Sequence, residues 1–426
     1  MLVRLKIKHN SLLKPVLLSV GLILSLYSVG QEAKTLDEFL QSARANSPVL
    51  NELNNKMFSL KIDSAKLKAD YGFHVDGIAD AYYSPLIKAW GYGDNANPSS
   101  GPELAAIVRI SRDFAGKNKM NSKMMDYNLG ISQLMNQSKI TIRSLNKAIT
   151  EQYISTYASQ QQHEIIHEII LLLEQEDKIL YKLTQASAFS QTEYLSFKVT
   201  LQQNILALKQ NETEWQNNYA LLNYLSGIVD TTTRNLSAPV LSEEQIIPFG
   251  ESIYAQSYRT DSLKLANDAK LINYEYQPKI AAYADGGYST EFISPYKNLG
   301  WSVGVNLSVP LYDGNKRKMM LQQKKFEQES KAKYNEFYEK QYNQQIFQLQ
   351  EQIKQYRQMI ELTNEQMRYS KTLIEANLKQ LPTGDVRMSD FILSINNYLN
   401  MKSSLVQYQT NLYNLHNNLH YLIIQY

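Results

Sequence analysis

The chain has 426 residues, of which 43% are hydrophobic, 44 are basic and 41 are acidic, and it contains no cysteine. The lack of cysteine excludes disulfides, thiolate metal sites and cysteine nucleophiles. Four of the bases precede residue 16, and without them 40 basic residues stand against 41 acidic ones, so the charge indicates no nucleic-acid partner.

The first 30 residues have the features of a secretory signal peptide. Basic residues from Arg4 to Lys14 are followed by an apolar run over 16–26, which is too short to cross a bilayer. Ser28 and Gly30 then provide the small residues of a cleavage site. No later stretch is long and apolar enough for a transmembrane helix. We therefore expect an exported protein.

The remaining sequence contains an internal repeat. Residues 71–83, YGFHVDGIADAYY, align without gaps on residues 276–288, YQPKIAAYADGGY. Each run is followed by a turn-rich loop and by a second run of alternating apolar and polar residues. This pattern predicts one β-hairpin in each half of the chain, over 71–114 and 276–312.

A long helical stretch follows each predicted hairpin. Residues 316–380 contain no Gly or Pro, and apolar residues recur at alternating steps of four and three from Tyr342 to Ile360. This is the heptad seam of a coiled coil. Residues 117–185 form the matching stretch of the first half, interrupted only by Gly130.

A break and a return helix follow each long helix, over 190–227 and 389–424, with Thr192 and Ser389 as the expected N-caps. The patterns thus divide the exported chain into two repeats, 31–235 and 236–426. Each repeat contains a helix, a hairpin, a long helix and a return helix. The predicted fold class is mixed α and β.

The strand pattern of the hairpins indicates a membrane wall. The second strand of the second hairpin, from Trp301, has an unbroken apolar face, which suits a lipid-facing β-barrel of an outer membrane. The residues expected to face lipid are Val108, Ile110, Trp301, Val303, Val305 and Leu307. The residues expected to face the lumen are Asp76, Asp80, Arg109, Asp285 and Asn306.

Four strands are too few to close a barrel, which takes about eight. Every backbone group must be paired in lipid, so several copies of the chain would have to share one barrel. Two copies would provide eight strands and a filled tube, and three would provide twelve strands and an open lumen.

Taken in order, the motifs resemble the TolC-like outer-membrane efflux proteins, also called outer-membrane factors. The resemblance rests on RANSPVLNEL at 44–53, on the duplicated hairpins, on the two turn motifs, and on SVPLYDGNKR at 308–317 before a long Gln- and Lys-rich helix. It implies a homotrimer whose twelve-stranded barrel lies in the outer membrane of a Gram-negative bacterium. A long antiparallel α-helical coiled-coil tube would continue the barrel into the periplasm.

The resemblance also implies a function and its partners. The trimer would be the passive channel of a tripartite efflux or type I secretion system. It would receive substrates from a periplasmic membrane-fusion adaptor and an inner-membrane pump of the RND, ABC or MFS type. No cofactor, catalytic residue or metal is expected.

Two sets of residues at the turns acquire roles from this resemblance. The expected periplasmic gate consists of Thr192, Glu193 and Asp390. The expected adaptor-docking tips are Ser187, Phe189, Gly384, Val386 and Ser389. A simpler interpretation of the two acids is that they only compensate the dipole of their helices.

One motif favours a different function. HEIIH, from His163 to His167, fits the HExxH pattern of zinc proteases, in which Glu164 would act as the base. A third ligand and a globular domain with a cleft are not evident around it. A chance match on a long surface helix is the simpler interpretation.

A further alternative is an exported structural or adhesive coiled-coil protein of the cell envelope. A signal peptide and heptads would suffice for it. Two amphipathic hairpins at matching points of the two repeats favour the channel, because a stalk has no use for them.

Overall fold

The computed structural model describes residues 33–84, 101–187, 189–230, 232–241, 245–291 and 299–423. The predicted signal peptide and most of both hairpin loops lie outside these residues. The elements in chain order are α1 (Leu36–Asn46), α2 (Pro48–Asp70), β1 (His74–Ser84), β2 (Gly101–Phe114), α3 (Lys117–Gln185), α4 (Gln191–Ser226), α5 (Ile253–Glu275), β3 (Lys279–Glu291), β4 (Leu299–Ser308), α6 (Lys316–Gln380) and α7 (Met388–Leu422). The prediction of a mixed fold with four strands is confirmed.

The helix boundaries differ from the predicted ones at the return helices. The N-cap of α4 is Ser190, so Thr192 lies inside the first turn of the helix. Helix α7 begins at Met388, so Ser389 is its second residue. The prediction that Thr192 and Ser389 are N-caps is therefore wrong. Local sequence patterns place helix ends with an error of a few residues.

The chain folds into two compact units. The helical unit contains the described residues of 1–47, 145–244 and 348–421, and the sheet unit contains those of 48–144, 245–347 and 422–426. Each unit draws on both halves of the sequence. The division into two sequence repeats stays a prediction, although strand, strand, long helix and return helix occur in this order twice.

The sheet unit contains one antiparallel sheet with the strand order β1-β2-β3-β4. The first hairpin pairs Val75 with Ile110, and the second pairs Ala284 with Val303. Strands β2 and β3 join the two hairpins, with Ile110 opposite Ala284. Within the described residues, β1 and β4 are edge strands with one partner each.

Polar side chains attach α5 to the N-terminal parts of the two long helices, which belong to the same unit. Asp261 accepts hydrogen bonds from Gln133 Nε2 of α3 and from Lys331 Nζ of α6, both at 2.7 Å. The buried side chain of Asn267 donates to the carbonyl oxygen of Ser122 at 2.9 Å. These contacts hold α5 in place by hydrogen bonding as well as by apolar packing.

The helical unit has two apolar clusters. The first lies where the long helices meet the return helices and contains Ile166, Ile169, Ile170, Leu173, Leu180, Phe197, Leu201, Ile374, Leu381, Met388, Phe391 and Ile395. The second contains Leu36, Phe39, Ala43, Ile149, Tyr153, Tyr219, Leu222 and Leu236. All four of the helices α3, α4, α6 and α7 contribute to the first cluster.

A connecting segment after α4 is anchored on the second cluster. The hydroxyl of Tyr153 lies 3.0 Å from the carbonyl oxygen of Lys34 and 2.7 Å from that of Ser237, and burial raises its pKa to about 12. The Gln160 side chain accepts from the backbone N–H of Leu236 at 2.7 Å and donates to its carbonyl oxygen at 3.4 Å. The side-chain amide of Gln160 thus forms the two hydrogen bonds with Leu236 that a backbone peptide group would form in a β-sheet.

The heptad seam predicted in α6 is buried in part, since Leu349, Tyr356 and Ile360 are half-buried. Tyr342, Ile346, Ile353 and Ile374 are all at most 7% exposed. The same seam also buries three polar residues spaced seven apart, Thr363, Ser370 and Asn377. Polar residues at seam positions favour a defined helix partner and register over maximal stability.

In the part of the chain that the structure describes, no helix carries an apolar stretch of the length and hydropathy that a bilayer crossing requires.

Candidate channel-lining and helix-turn sites

The sheet has one apolar face that continues across all four strands. The register places Val75, Ile110, Ala284 and Val303 in one row, and Gly77, Val108, Gly286 and Trp301 in the next. All the residues predicted to face lipid lie on this face. Their side chains are exposed in the single chain, with Trp301 at 81% and Val303 at 70%. Such a large exposed apolar surface indicates contact with lipid or with protein.

The opposite face carries a charged row. Asp76, Arg109, Asp285 and Ser302 lie directly opposite one another on the four strands. Arg109 donates from Nε to Asp285 Oδ1 at 2.7 Å and from Nη2 to Oδ2 at 2.9 Å. Ser302 Oγ donates to the same carboxylate at 3.4 Å. The bidentate ion pair therefore bridges the two hairpins.

Tyr283 supports this ion pair, and sequence reasoning did not identify it. Its ring lies 5.0 Å from the Arg109 guanidinium carbon. It also covers Gly304 of β4, where an added Cβ would lie only 2.5 Å from the ring. A glycine within a strand often marks such a close approach, so Gly304 was the available signal. The cation–π contact adds a second interaction to the guanidinium that binds Asp285.

The remaining predicted lumen residues lie on this same face. Asp80 is opposite Ala105, and Asn306 is opposite Ala281. The face also carries Asp113 and Lys279, which pair in register with Ala281 and Ser308. The described acids are Asp76, Asp80, Asp113 and Asp285, and the described bases are Arg109 and Lys279. The polar face is therefore net acidic.

The first turn lies in the helical unit between α3 and α4. Ser187 adopts a positive φ of 56° and is exposed. Phe189 is half-buried and packs against the first apolar cluster. Thr192 is exposed and Glu193 is half-buried, both in the first turn of α4. An acid at this position is favoured by the helix dipole.

The second turn lies between α6 and α7. Gly384 has φ 79° and donates its N–H to the carbonyl oxygen of Leu381 at 3.2 Å. Thr383 Oγ1 lies 2.6 Å from Asp385 Oδ2, which fixes the loop. Val386 is half-buried, whereas Ser389 and Asp390 are exposed. Asp385 is a second exposed acid near Asp390, and sequence reasoning did not assign it a role.

A buried polar contact lies behind the second turn. Asn377 of α6 donates from Nδ2 to Ser394 Oγ of α7 at 3.1 Å, and Ser394 Oγ donates to the Phe391 carbonyl oxygen at 2.7 Å. Behind the first turn the long helix and the return helix are joined by an ion pair between Asp177 and Lys198 at 2.9 Å. The hydrogen bond to Asp177 raises the pKa of Lys198.

The HExxH motif lies on the surface of α3. The rings of His163 and His167 are stacked with centroids 6.4 Å apart, and His163 lies 5.4 Å from the Trp215 ring. Glu164 accepts hydrogen bonds from Gln160 and Gln161. Among the described residues, no group of three or more His, Cys, Asp or Glu side chains is arranged to hold a metal ion.

Comparison with known proteins identifies the class of fold. The chain has the fold of the TolC-like outer-membrane channels, so the resemblance that its motifs indicated is confirmed at the level of the fold. No protein-family model matches the sequence, and no curated protein matches it.

Several solved structures share this fold. The outer membrane protein VceC of Vibrio cholerae is similar with a TM-score of 0.74 and 15% identity, over 92% of this chain and 96% of that one. The CmeC outer membrane channel of Campylobacter jejuni has a TM-score of 0.73 and 12% identity, over 91% and 85%. The MtrE outer membrane channel of Neisseria gonorrhoeae has a TM-score of 0.72 and 10% identity, over 91% and 88%.

Proposed function

We propose that this chain forms a homotrimeric channel in the outer membrane of a Gram-negative bacterium. Three four-stranded sheets would make one twelve-stranded barrel, and the long helices would form a tube in the periplasm. The trimer would conduct substrates passively from an inner-membrane pump of the RND, ABC or MFS type and a periplasmic membrane-fusion adaptor. The similarity in fold to CmeC and MtrE, which are outer membrane channels, supports this role.

The observation that carries the proposal is the chemistry of the sheet. Its apolar face is continuous over four strands, its opposite face is charged, and β1 and β4 each have one free edge among the described residues. Unpaired edges are not tolerated in lipid. Pairing β1 of one copy with β4 of the next removes both edges and keeps lipid and water on opposite faces.

Exposed apolar side chains on two helices of the helical unit support the same assembly. Leu195, Val199 and Leu206 of α4 are between 53% and 60% exposed. Leu362, Tyr369 and Leu373 of α6 are between 51% and 68% exposed. Both sets have steps of four and seven, as expected for a further coiled-coil seam that another copy would cover.

The candidate residues acquire roles within this assembly. Asp76, Asp80, Arg109, Asp285 and Asn306 would face the lumen, where the net acidity favours cations. Thr192, Glu193 and Asp390 would form the periplasmic gate. Ser187, Phe189, Gly384, Val386 and Ser389 would contact the adaptor.

A matched pair of substitutions tests the channel. Val303→Arg places a charge in an apolar row, which costs roughly 2–4 kcal/mol near the middle of a bilayer. Asn306→Arg places the same charge on the polar face of the same strand. We expect Val303→Arg to abolish heat-sensitive trimers in the outer-membrane fraction, and Asn306→Arg to retain them and to conduct in planar bilayers. Equal defects in the two variants, or a wild-type chain found as a soluble monomer, would contradict the proposal.

A further inference from the structure

Arg112 interrupts the apolar face of the sheet close to the end of β2. The register places it opposite Ala282, which in turn lies opposite Val305 on the face proposed to contact lipid. It is two residues from the end of β2 at Phe114, and α3 begins at Lys117. A charge here lies near the boundary between the sheet and the helices, where its cost in a membrane is small.

Two phenylalanines flank the guanidinium of Arg112. Its central carbon lies 5.0 Å from the ring centroid of Phe73 and 5.5 Å from that of Phe114. The two rings are 71% and 50% exposed. The side chain of Arg112 forms no ion pair and no hydrogen bond with the residues that the structure describes. The rings therefore interact with the guanidinium while its N–H donors stay available.

Another arginine of the sheet unit, near the start of α6, is engaged internally. Arg317 also lies near an aromatic ring, with its central carbon 5.8 Å from the Tyr276 centroid. Its Nε and Nη2 donate to Asn273 Oδ1 at 3.0 and 2.8 Å. Arg317 therefore has an internal acceptor, whereas the donors of Arg112 are open.

We infer that Arg112, Phe73 and Phe114 form a binding site for the headgroup phosphate of a phospholipid in the periplasm-facing leaflet. This inference rests on the proposed function, because the apolar face must contact lipid. A guanidinium fork matches two phosphate oxygens, and exposed phenylalanines beside it match the start of the acyl chains. The site continues the apolar face through Ile280, which lies opposite Phe114.

The test is native mass spectrometry of the purified trimer in detergent with added phosphatidylglycerol or phosphatidylethanolamine. Diacylglycerol, which has the same acyl chains and no phosphate, is the ligand control. We expect Arg112→Gln to lower the phospholipid-bound fraction roughly tenfold, because a charge-assisted pair is lost. Arg112→Lys should give an intermediate loss, and the matched variant Arg317→Gln should bind as the wild type does.

Several outcomes would overturn the site. They are unchanged phospholipid binding by Arg112→Gln, equal binding of diacylglycerol and phospholipid to the wild type, and binding of inorganic phosphate alone as tightly as phospholipid. Recording the conductance of the same preparations separates this result from the channel itself. If Arg112→Gln conducts like the wild type and binds phospholipid as well as the wild type does, the lipid site is refuted and the channel proposal stands. If the wild-type chain is absent from the outer membrane, both proposals are refuted.

Discussion

The two helical turns have the same topology but different chemistry. Behind the first turn, Leu180 and Phe197 belong to one apolar cluster and are at most 1% exposed. The aligned positions behind the second turn are Asn377 and Ser394, which form a buried hydrogen bond. Both turns contain a residue with positive φ, but only Ser187 at the first turn is strained by it, because Gly384 at the second has no side chain.

This difference shows that one backbone arrangement can be stabilised in two ways. Apolar burial contributes stability without fixing a partner, and a buried hydrogen bond contributes less but is specific in geometry. Because Phe391 and Ile395 of α7 belong to the same apolar cluster, we expect the difference to be confined to the aligned positions, with the larger loss of stability at Leu180. Substitutions at matched positions test this expectation.

The largest effect is expected at Leu180. Leu180→Ala removes a buried side chain from the first cluster and leaves a cavity, which costs about 2–5 kcal/mol. The measurement is the free energy of unfolding of the purified protein at a fixed concentration, because an oligomer's stability depends on concentration. A loss below about 1 kcal/mol would mean that the first helix pair does not depend on this cluster.

A smaller effect is expected at the aligned residue. Asn377→Ala removes the donor to Ser394 and costs about 1–3 kcal/mol. The double variant Asn377→Leu with Ser394→Ala replaces both partners by apolar groups and should recover most of this loss. If the double variant were less stable than Asn377→Ala alone, the polar contact would not be the weaker of the two arrangements.

Opposite signs are expected at the turns themselves. Ser187→Gly should stabilise the protein by about 1 kcal/mol, because glycine adopts a positive φ without strain. Gly384→Ala should destabilise it by a similar amount, and since no atom lies within 4 Å of the added Cβ, the cause would be the backbone alone. Two changes of the same sign, measured as shifts in melting temperature, would contradict this account of the turns.

Substitution of the acidic residues in the first turns of the return helices should have the smallest effect on stability. It should nevertheless change conduction measurably. Asp390 is exposed and Glu193 is half-buried, each in the first turn of its helix. If the exposed acid forms part of a gate, Asp390→Ala should lower cation preference or trivalent-cation block in bilayer recordings. If the ion selectivity of Asp390→Ala equals that of the wild type, the only role left for Asp390 is its interaction with the helix dipole. Glu193→Ala is the matched variant at the first turn.

Sequence patterns predicted the parts of the fold that depend on local periodicity. The steps of four and three between Tyr342 and Ile360 indicated the buried seam, and alternation from Trp301 to Leu307 indicated the face of β4. The same alternation, extended from Ile110 by two residues, would have placed Arg112 on the apolar face. The contact between Arg109 and Asp285 depends on the β2–β3 register, which no local pattern contains.

The candidate turns were less accessible to sequence reasoning than the strands. Several Ser and Thr residues around each break qualify as caps, and Ser190 rather than Thr192 occupies the position in the structure. The polar seam residues Thr363, Ser370 and Asn377 interrupted the apolar pattern, so their burial was not predicted. Their placement depends on partners from other helices.

The pairing of β1 with β4 between copies is the central claim, and cross-linking tests it most directly. The chain contains no cysteine, so introduced thiols are unique. Ala79 of β1 and Val303 of β4 lie on the same face of the sheet. A chain with Ala79→Cys and Val303→Cys, treated with a short bifunctional thiol reagent in outer membranes, should give covalent dimers and trimers, whereas either single variant should not give trimers. Only monomers from the double variant, with the protein inserted in the membrane, would contradict the shared barrel.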